Sequence, residues 1–255
     1  RAINTQDVFH AALVPALLFI ALSIGLAWLA GRDQPLPQQK RERLAPQQVA
    51  LAGLSLCALL VLLGGVAMGY FLAVEAAAVG AFTLLCAGVL SGNLSAKVMR
   101  ELLHDAVAIT GALFALLIAA TTFTLVLRLL GTDRLVNNIV ACIPGGDVLA
   151  TAVILAVIGL CAFVLDAFEI IFVIVPIVIP PLLVRVADAR WVAVLVLLTL
   201  QSSFLLPPFG YALMMVRGAT RDPAPFRPFV RALMPFLLAQ WLLLLLVLFA
   251  PSLVH

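Results

Sequence analysis

Charged residues are scarce in this chain. Lys, Arg, Asp and Glu make up 11% of its 255 residues, whereas hydrophobic residues make up 65%. The mean hydropathy is +1.22, and no water-soluble domain of this length has such a balance. Several apolar runs reach the roughly 20 residues that cross a bilayer, and the alternation typical of barrel strands is absent. The sequence therefore predicts an all-α polytopic membrane protein that contacts the lipid bilayer.

Residue patterns typical of metal sites and catalysis are also lacking. The four cysteines lie within or beside apolar runs and form no CxxC pair, so we interpret them as small core residues. The three histidines are scattered along the chain, which argues against a histidine-based metal site. No nucleophile–base constellation or phosphate-binding loop is present. We therefore predict no enzymatic activity and no cofactor. The net charge of +3 comes from loop Lys and Arg, which set membrane orientation and do not imply nucleic acid.

The chain begins with Arg1, and its opening residues RAINTQDVFH carry no signal-peptide pattern. We expect a fragment, or one half of something larger.

Residues 91–105 are predicted as a polar loop and residues 131–147 as a partly amphipathic loop. The predicted segments are a first transmembrane helix (1–30), a cytoplasmic loop (31–48), scaffold or arm helices (49–147), a re-entrant hairpin (148–186), a broken transmembrane helix (187–218), and a basic loop with the last helix (219–255).

Residues 148–183 are too apolar to form a loop, and two acids interrupt them. Two arms of about 16 residues are each too short to cross a bilayer comfortably. This pattern predicts a re-entrant helical hairpin with its tip near Gly159–Asp166, and the alternative is one long tilted span. Asp166 and Glu169 share a helix face, and either could meet a cation, a proton or a helix N-terminus. Asp166 could equally cap the second arm.

Pro207 and Pro208, followed by Gly210, break the next apolar run. Prolines lack N–H groups, so the carbonyls just before them lose their helical partners. At membrane depth such carbonyls need another partner, and a bound Na⁺ would suit them. The alternative is a structural kink capped by neighbouring helices. The candidate ion or substrate site comprises Gly159, Ala162, Asp166, Glu169, Gln201, Ser202, Ser203, Leu206, Pro207, Pro208 and Gly210.

Other polar residues have ordinary structural explanations. Glu75 follows a break and could compensate the charge of a helix N-terminus. The hydroxyls of Thr121, Thr122 and Thr124 could bond backward within their own helix.

Positive charges are distributed unequally between the two sets of loops that the hairpin topology defines. The set predicted to be cytoplasmic holds ten: Arg32, Lys40, Arg41, Arg43, Lys97, Arg100, Arg217, Arg221, Arg227 and Arg231. The opposite set holds five: Arg1, Arg128, Arg134, Arg185 and Arg190. Because cytoplasmic loops carry the excess of Lys and Arg, this count favours the hairpin over a straight span.

Three blocks resemble one family. They are GYFLAVEAAAVGAF (69–82), LDAFEIIFVIVPIVIPP (165–181) and QSSFLLPPFGYAL (201–213). Their order and spacing resemble the large membrane subunit of tripartite ATP-independent periplasmic (TRAP) transporters, nearest the mannitol or chloroaromatic branch. The resemblance implies the second inverted repeat of an elevator-type permease, with a re-entrant hairpin and a Pro-Pro broken helix. It also implies a multi-pass protein of the bacterial inner membrane.

The resemblance further implies Na⁺-coupled import of an organic anion, a carboxylate. The implied partners are the missing permease half, a small membrane subunit and a periplasmic substrate-binding protein. The chain departs from the family pattern at several positions. Leu72-Ala73-Val74-Glu75 stands where Thr-Pro-Thr-Glu is usual, Ala162 where Gly is usual, and Thr199 and Ser202 where Asn and Thr are usual. Leu206 replaces the usual Thr before the double proline.

These departures leave a second hypothesis open. The chain could be a non-transporting structural or accessory subunit of a different membrane complex, descended from such a permease. The hypothesis would explain both the half-length and the loss of polar side chains at the candidate ion site.

Overall fold

The computed structural model describes residues 5–32, 46–90, 92, 94–165, 167–205, 215, 217–218 and 225–254. All of the regular structure in these ranges is helical. The helices are α1 (Thr5–Arg32), α2 (Pro46–Ala67), α3 (Ala73–Leu90), α4 (Ala96–Leu129), α5 (Thr132–Cys142), α6 (Asp147–Cys161), α7 (Ala167–Glu169), a π-helical segment (Ile170–Ile174), α8 (Val175–Arg185), α9 (Ala189–Leu205), α10 (Phe226–Phe249) and a closing 3₁₀ turn (Pro251–Val254).

Two predicted loops are largely helical, so both predictions were wrong. Helix α4 begins at Ala96, which places most of the polar 91–105 stretch on a helix. The 131–147 stretch contains α5, which follows Gly131 in the left-handed conformation at φ 84°. The apolar residues Leu135, Val136, Ile139 and Val140 recur at helical spacing. Val140 is buried, and α5 packs on α8. Val136 and Val140 pack at the core, whereas Leu135 and Ile139 stay exposed. Packing of these two valines therefore stabilises a short helix within a polar sequence.

The chain divides into two compact units, and one of them spans residues 33–112. In this unit α2 packs against α3, and the connecting turn places Gly69 at φ 79°. A side chain at Gly65 would meet the Phe71 ring, since a Cβ there would lie 2.6 Å from Phe71 Cδ2. At the start of α3 the N–H of Leu72 donates to Glu75 Oε2 at 2.9 Å. The prediction that Glu75 compensates a helix N-terminus is confirmed.

The larger unit contains α1, the 113–129 part of α4 and helices α5 to α10. Its core is centred on α9, which contacts α1, α6, α7 and α10. Ile158, Leu195, Leu243 and Val247 are each at most 1% exposed in this core. The N–H of Trp191 donates to Asp188 Oδ1, and its indole Nε1–H donates to the Val247 carbonyl at 2.9 Å. The first bond caps α9, and the second fixes the start of α9 against the end of α10.

Helix α6 and the second arm (167–185) form a helix–turn–helix pair. The two arms pack against each other, with the turn at residues 162–165. Arg185 at the end of α8 approaches Asp147 at the start of α6, so the two outer ends of the pair are adjacent. Entry of this pair into the membrane from one face stays a prediction. The prediction that both arms are too short to cross a bilayer fits α6, which has 15 residues. It was wrong for the second arm, whose 19 residues are long enough.

Proline controls the geometry of the second arm. Pro176 has no N–H, and the π-helical segment ends two residues before it. There the N–H of Val175 donates to the Ile170 carbonyl, five residues back. Pro180 and Pro181 lie within α8, where their missing N–H groups remove further helical hydrogen bonds. The arm is therefore continuous but locally widened and short of donors, as is common where helices serve a function.

Five helical stretches are long and apolar enough to cross a membrane, among the residues that the structure describes. They are Gln6–Arg32, Ala73–Leu90, Ala96–Leu129, Ala167–Arg185 and Phe226–Phe249. Large apolar side chains are exposed along several of them, including Leu90 at 87% and Leu242 at 65%. Exposure of this kind is expected when lipid is the solvent. At the end of α1 the Arg32 guanidinium lies 5.5 Å from the Trp28 ring centroid, a pairing typical of a membrane interface.

Candidate functional site

The C-terminal half of α9 carries a group of buried hydroxyls. Thr199, Ser202 and Ser203 are each at most 4% exposed. Each hydroxyl donates its single hydrogen to a carbonyl of its own helix: Thr199 to Leu195 at 2.9 Å, Ser202 to Leu198 at 3.4 Å, and Ser203 to Leu200 at 2.7 Å. Because the hydrogen is used, the oxygen lone pairs are what remain for a ligand. Such a group can accept from a donor or contact a cation.

The first arm of the helix pair lies directly against this part of α9. Gly159 is buried, and a Cβ there would lie 4.0 Å from Thr199 Cγ2 and 3.0 Å from Trp241 Cη2. Ala162, at 3% exposure, begins the turn, and α7 also contacts α9. The structure thus brings Gly159 beside Thr199, with α7 also packed against α9. Glycine at 159 permits the close approach, since any side chain would press on the Trp241 ring.

Of the remaining predicted site residues, the structure describes only Glu169 and Gln201. Glu169 ends α7 and is partly buried, and Gln201 is partly exposed on α9. Asp166, Leu206, Pro207, Pro208 and Gly210 lie outside the described residues, as do residues 211–214 and 216 of the predicted broken helix (187–218). Helix α9 is described up to Leu205, two residues before the double proline.

The predicted back-bonding of the α4 threonines holds for two of three. Thr121 Oγ1 donates to Leu117 at 2.8 Å, and Thr122 Oγ1 donates to Ile118 at 2.8 Å. Thr124 is 8% exposed, and its Oγ1 has no hydrogen-bond partner in the described part of the chain. The prediction for Thr124 was therefore wrong.

Comparison with known families matches residues 2–253 to the model of the tripartite ATP-independent periplasmic transporter, DctM component. The chain belongs to this family. It is 21% identical over 257 residues to the 2,3-diketo-L-gulonate TRAP transporter large permease protein YiaN of Escherichia coli (strain K12), covering 99% of this chain and 60% of that protein. It is 24% identical over 260 residues to the C4-dicarboxylate TRAP transporter large permease protein DctM of Pseudomonas aeruginosa, covering 98% of this chain and 58% of that protein.

Membership confirms the resemblance seen in the three sequence blocks. The TRAP large permease is a membrane transport protein of the inner membrane and not an enzyme, as predicted. The chain spans about 60% of the length of these two relatives. Matches to transporter permeases do not favour the accessory-subunit hypothesis.

Sequence reasoning missed two polar residues that organise this TRAP permease chain. Gln240 is fully buried in α10, and its Nε2–H donates to the Leu198 carbonyl at 2.9 Å, beside Ser202. Its signal was present, because it is a single amide within the leucine-rich last span. Arg185 was counted only as a loop charge. Its contacts lie about forty residues away, so no local pattern indicates them.

Proposed function

We propose that this chain forms the C-terminal half of a TRAP-type permease that imports an organic anion together with Na⁺. The chain supplies the second inverted repeat of an elevator-type transporter. The helix pair formed by α6 and the second arm acts as the re-entrant hairpin, and α9 acts as the first half of the Pro-Pro broken helix. Both contribute to one site, near the tip of the pair.

The observation that carries this proposal is the buried hydroxyl group of α9 beside Gly159. Thr199, Ser202 and Ser203 direct their hydrogens to helix carbonyls, which suits a cation better than an anion. They precede Pro207 and Pro208, whose missing N–H groups free further carbonyls for the same ion. Neutral hydroxyl and carbonyl oxygens are the ligands that a hard monovalent cation accepts.

The names of the relatives support the proposed substrate class. 2,3-Diketo-L-gulonate and C4-dicarboxylates are both carboxylates. We therefore propose a carboxylate substrate delivered by a periplasmic binding protein. The other half of the permease and a small membrane subunit complete the assembly.

Reconstituted uptake tests the proposal. The full transporter, with its binding protein, is placed in proteoliposomes and offered radiolabelled organic acids, including a C4-dicarboxylate. We expect accumulation under an inward Na⁺ gradient and none under an equal K⁺ gradient. The double variant Ser202→Ala/Ser203→Ala should require at least tenfold more Na⁺ for half-maximal uptake. A matched control is Thr83→Val, which removes another back-bonded hydroxyl, on exposed α3. Uptake that ignores the Na⁺ gradient would refute the coupling.

A further inference from the structure

A cavity lies between α4 and the second arm, and its described lining includes none of the α9 hydroxyls. Its volume is about 200 Å³. Among the described residues, six line it: Thr121, Thr124, Leu125, Arg128, Phe172 and Pro176. Phe172 belongs to the π-helical segment, so the widened turns of the arm form one wall. The cavity combines one cation, two hydroxyls and three apolar side chains.

Arg128 is anchored in this cavity by a carbonyl that proline has freed. Pro180 has no N–H, so the Pro176 carbonyl, four residues earlier, lacks its helical donor. Arg128 Nη2 donates to that carbonyl at 3.2 Å. Its Nε lies 3.8 Å from Asp133 Oδ1. The guanidinium has five N–H groups, and among the described residues those of Nη1 have no protein acceptor. A fixed cation with free donors therefore faces the cavity.

Thr124 supplies the second polar feature. It is 8% exposed, and its Oγ1 has no hydrogen-bond partner in the described ranges. A buried hydroxyl without a partner is unfavourable, and native structures nearly always satisfy such groups. Thr121 and Thr122, on the same helix, satisfy theirs by back-bonding. A polar ligand atom inside the cavity would satisfy the hydroxyl of Thr124.

We propose that this cavity binds one oxyacid anion, a carboxylate or a phosphate group, attached to an apolar stem. The free edge of the Arg128 guanidinium would contact the anion, a geometry that the planar fork favours. Thr124 would donate its hydroxyl hydrogen to a second anion oxygen. Leu125, Phe172 and Pro176 would cover the stem. A cavity below the roughly 300 Å³ of larger ligand pockets admits only one small group.

Two sources carry this chemistry, a small soluble carboxylic acid and the headgroup of an anionic phospholipid. The Asp133 carboxylate lies beside the same guanidinium and would compete with either. The side chains of Arg128 and Asp133 are 47% and 48% exposed, so their ion pair is weak and an anion can share the cation. Asp133→Asn should therefore tighten anion binding.

Thermal unfolding of the full chain in nanodiscs tests the proposal. The first comparison sets sodium butyrate against butyramide in phosphatidylcholine, with NaCl balancing the ionic strength. The second comparison sets discs containing phosphatidylglycerol against discs of phosphatidylcholine alone. In one of the two comparisons we expect the anionic probe to raise the unfolding midpoint by about 2 °C or more over its neutral counterpart. A response to butyrate identifies a soluble acid, and a response to phosphatidylglycerol alone identifies a lipid headgroup.

The variants decide whether the response belongs to the cavity. Arg128→Gln should abolish it, whereas Arg134→Gln, which removes an exposed charge from α5, should leave it intact. If Arg128→Gln does not fold, Thr124→Val replaces it and should weaken the response at least tenfold in half-saturating probe. The proposal fails if neither anionic probe stabilises the protein more than its neutral counterpart. It also fails if Arg134→Gln abolishes the response as fully as Arg128→Gln, or if Thr124→Val leaves it unchanged.

Discussion

Arg185 and Asp147 join the two outer ends of the α6–α8 helix pair, with 3.8 Å between Arg185 Nε and Asp147 Oδ1. The same guanidinium donates from Nη1 to the carbonyls of Val140 and Ile143 at 2.9 and 3.1 Å, and from Nη2 to Gly145. Those carbonyls belong to the end of α5 and the turn that follows it. One side chain therefore ties α5, α6 and α8 together at the base of the pair.

The first prediction separates the two kinds of Arg185 contact. Arg185→Met should lower the free energy of unfolding by about 2–4 kcal/mol, because several charge-assisted hydrogen bonds are lost. Asp147→Asn should lower it by less than about 1 kcal/mol, since the Asp147 side chain is 58% exposed and its ion pair is screened. Denaturant unfolding in detergent micelles measures both. Equal losses in the two variants would show that the ion pair, and not the carbonyl contacts, stabilises the base.

The second prediction concerns membrane topology. In the re-entrant topology, Asp147 and Asp188 flank the helix pair and lie on the same, non-cytoplasmic face. A Cys-free background that replaces Cys57, Cys86, Cys142 and Cys161 allows single-cysteine labelling. A membrane-impermeant maleimide added outside intact cells should label Asp147→Cys and Asp188→Cys. It should not label Arg227→Cys, in the loop predicted to be cytoplasmic. Labelling of only one of the first two would refute the re-entrant hairpin and the orientation count.

The third prediction tests the close approach at Gly159. Gly159→Val should lower the unfolding midpoint, because its side chain presses on the Trp241 ring and overpacking costs about 1–3 kcal/mol. In a Trp241→Leu background the penalty of Gly159→Val should shrink. The double-mutant cycle measures this coupling. Gly25→Val is the matched control, because nothing lies within 4 Å of a Cβ at Gly25. An equal penalty in both backgrounds would show that Trp241 is not what restricts position 159.

The fourth prediction uses the buried amide of Gln240. Its Oε1 has no partner among the described residues, while its Nε2 makes one hydrogen bond. Gln240→Leu removes both groups at similar volume, so we expect a loss below about 1 kcal/mol. Gln240→Ala also leaves a cavity and should cost at least about 2 kcal/mol. Chemical denaturation checks the order. A severe loss in Gln240→Leu would mean that the amide oxygen has a partner in the native protein.

Local patterns in the sequence predicted the features with local causes. Glu75 caps α3, and Thr121 and Thr122 back-bond, because each contact spans three or four residues. The turn between α6 and the second arm was also predicted, from an acidic interruption in an apolar run. Helix α5 was missed because polar residues such as Asn137 and Asn138 hide its apolar side. The helical spacing of Leu135, Val136, Ile139 and Val140 nonetheless indicates a helix.

Contacts between residues distant in the chain could not be predicted from the sequence. Nothing near Arg128 indicates that it donates to the Pro176 carbonyl, and prolines alone do not say which neighbour satisfies the carbonyls they free. The same holds for Gly159 against Trp241. In each case the partner is set by tertiary packing of helices distant in the chain. The sequence pattern indicated the hydroxyl-rich end of α9 as part of a candidate ion site, which stays a prediction. It did not indicate that Gln240 of α10 donates to the Leu198 carbonyl there.

The last prediction tests the proposed Na⁺ site through Leu206. The family usually places threonine directly before the double proline, and leucine lacks the hydroxyl that could contact a cation. A cation would then depend on the freed carbonyls, helped by Ser202 or Ser203. Losing one polar partner weakens binding by about 1–3 kcal/mol, roughly ten- to a hundredfold. Leu206→Thr should therefore lower the Na⁺ concentration that gives half-maximal thermal stabilisation by about that factor.

The measurement compares unfolding midpoints across NaCl and KCl titrations at equal ionic strength. Leu206→Val is the matched control, because it has nearly the shape of threonine without the hydroxyl. We expect it to behave as the natural chain does, while Leu206→Thr responds to Na⁺ and not to K⁺. If Leu206→Thr, alone and with Ala162→Gly, leaves stability indifferent to Na⁺ over K⁺, no cation site survives at the break. Coupling to Na⁺ would then have to depend on the other half of the permease.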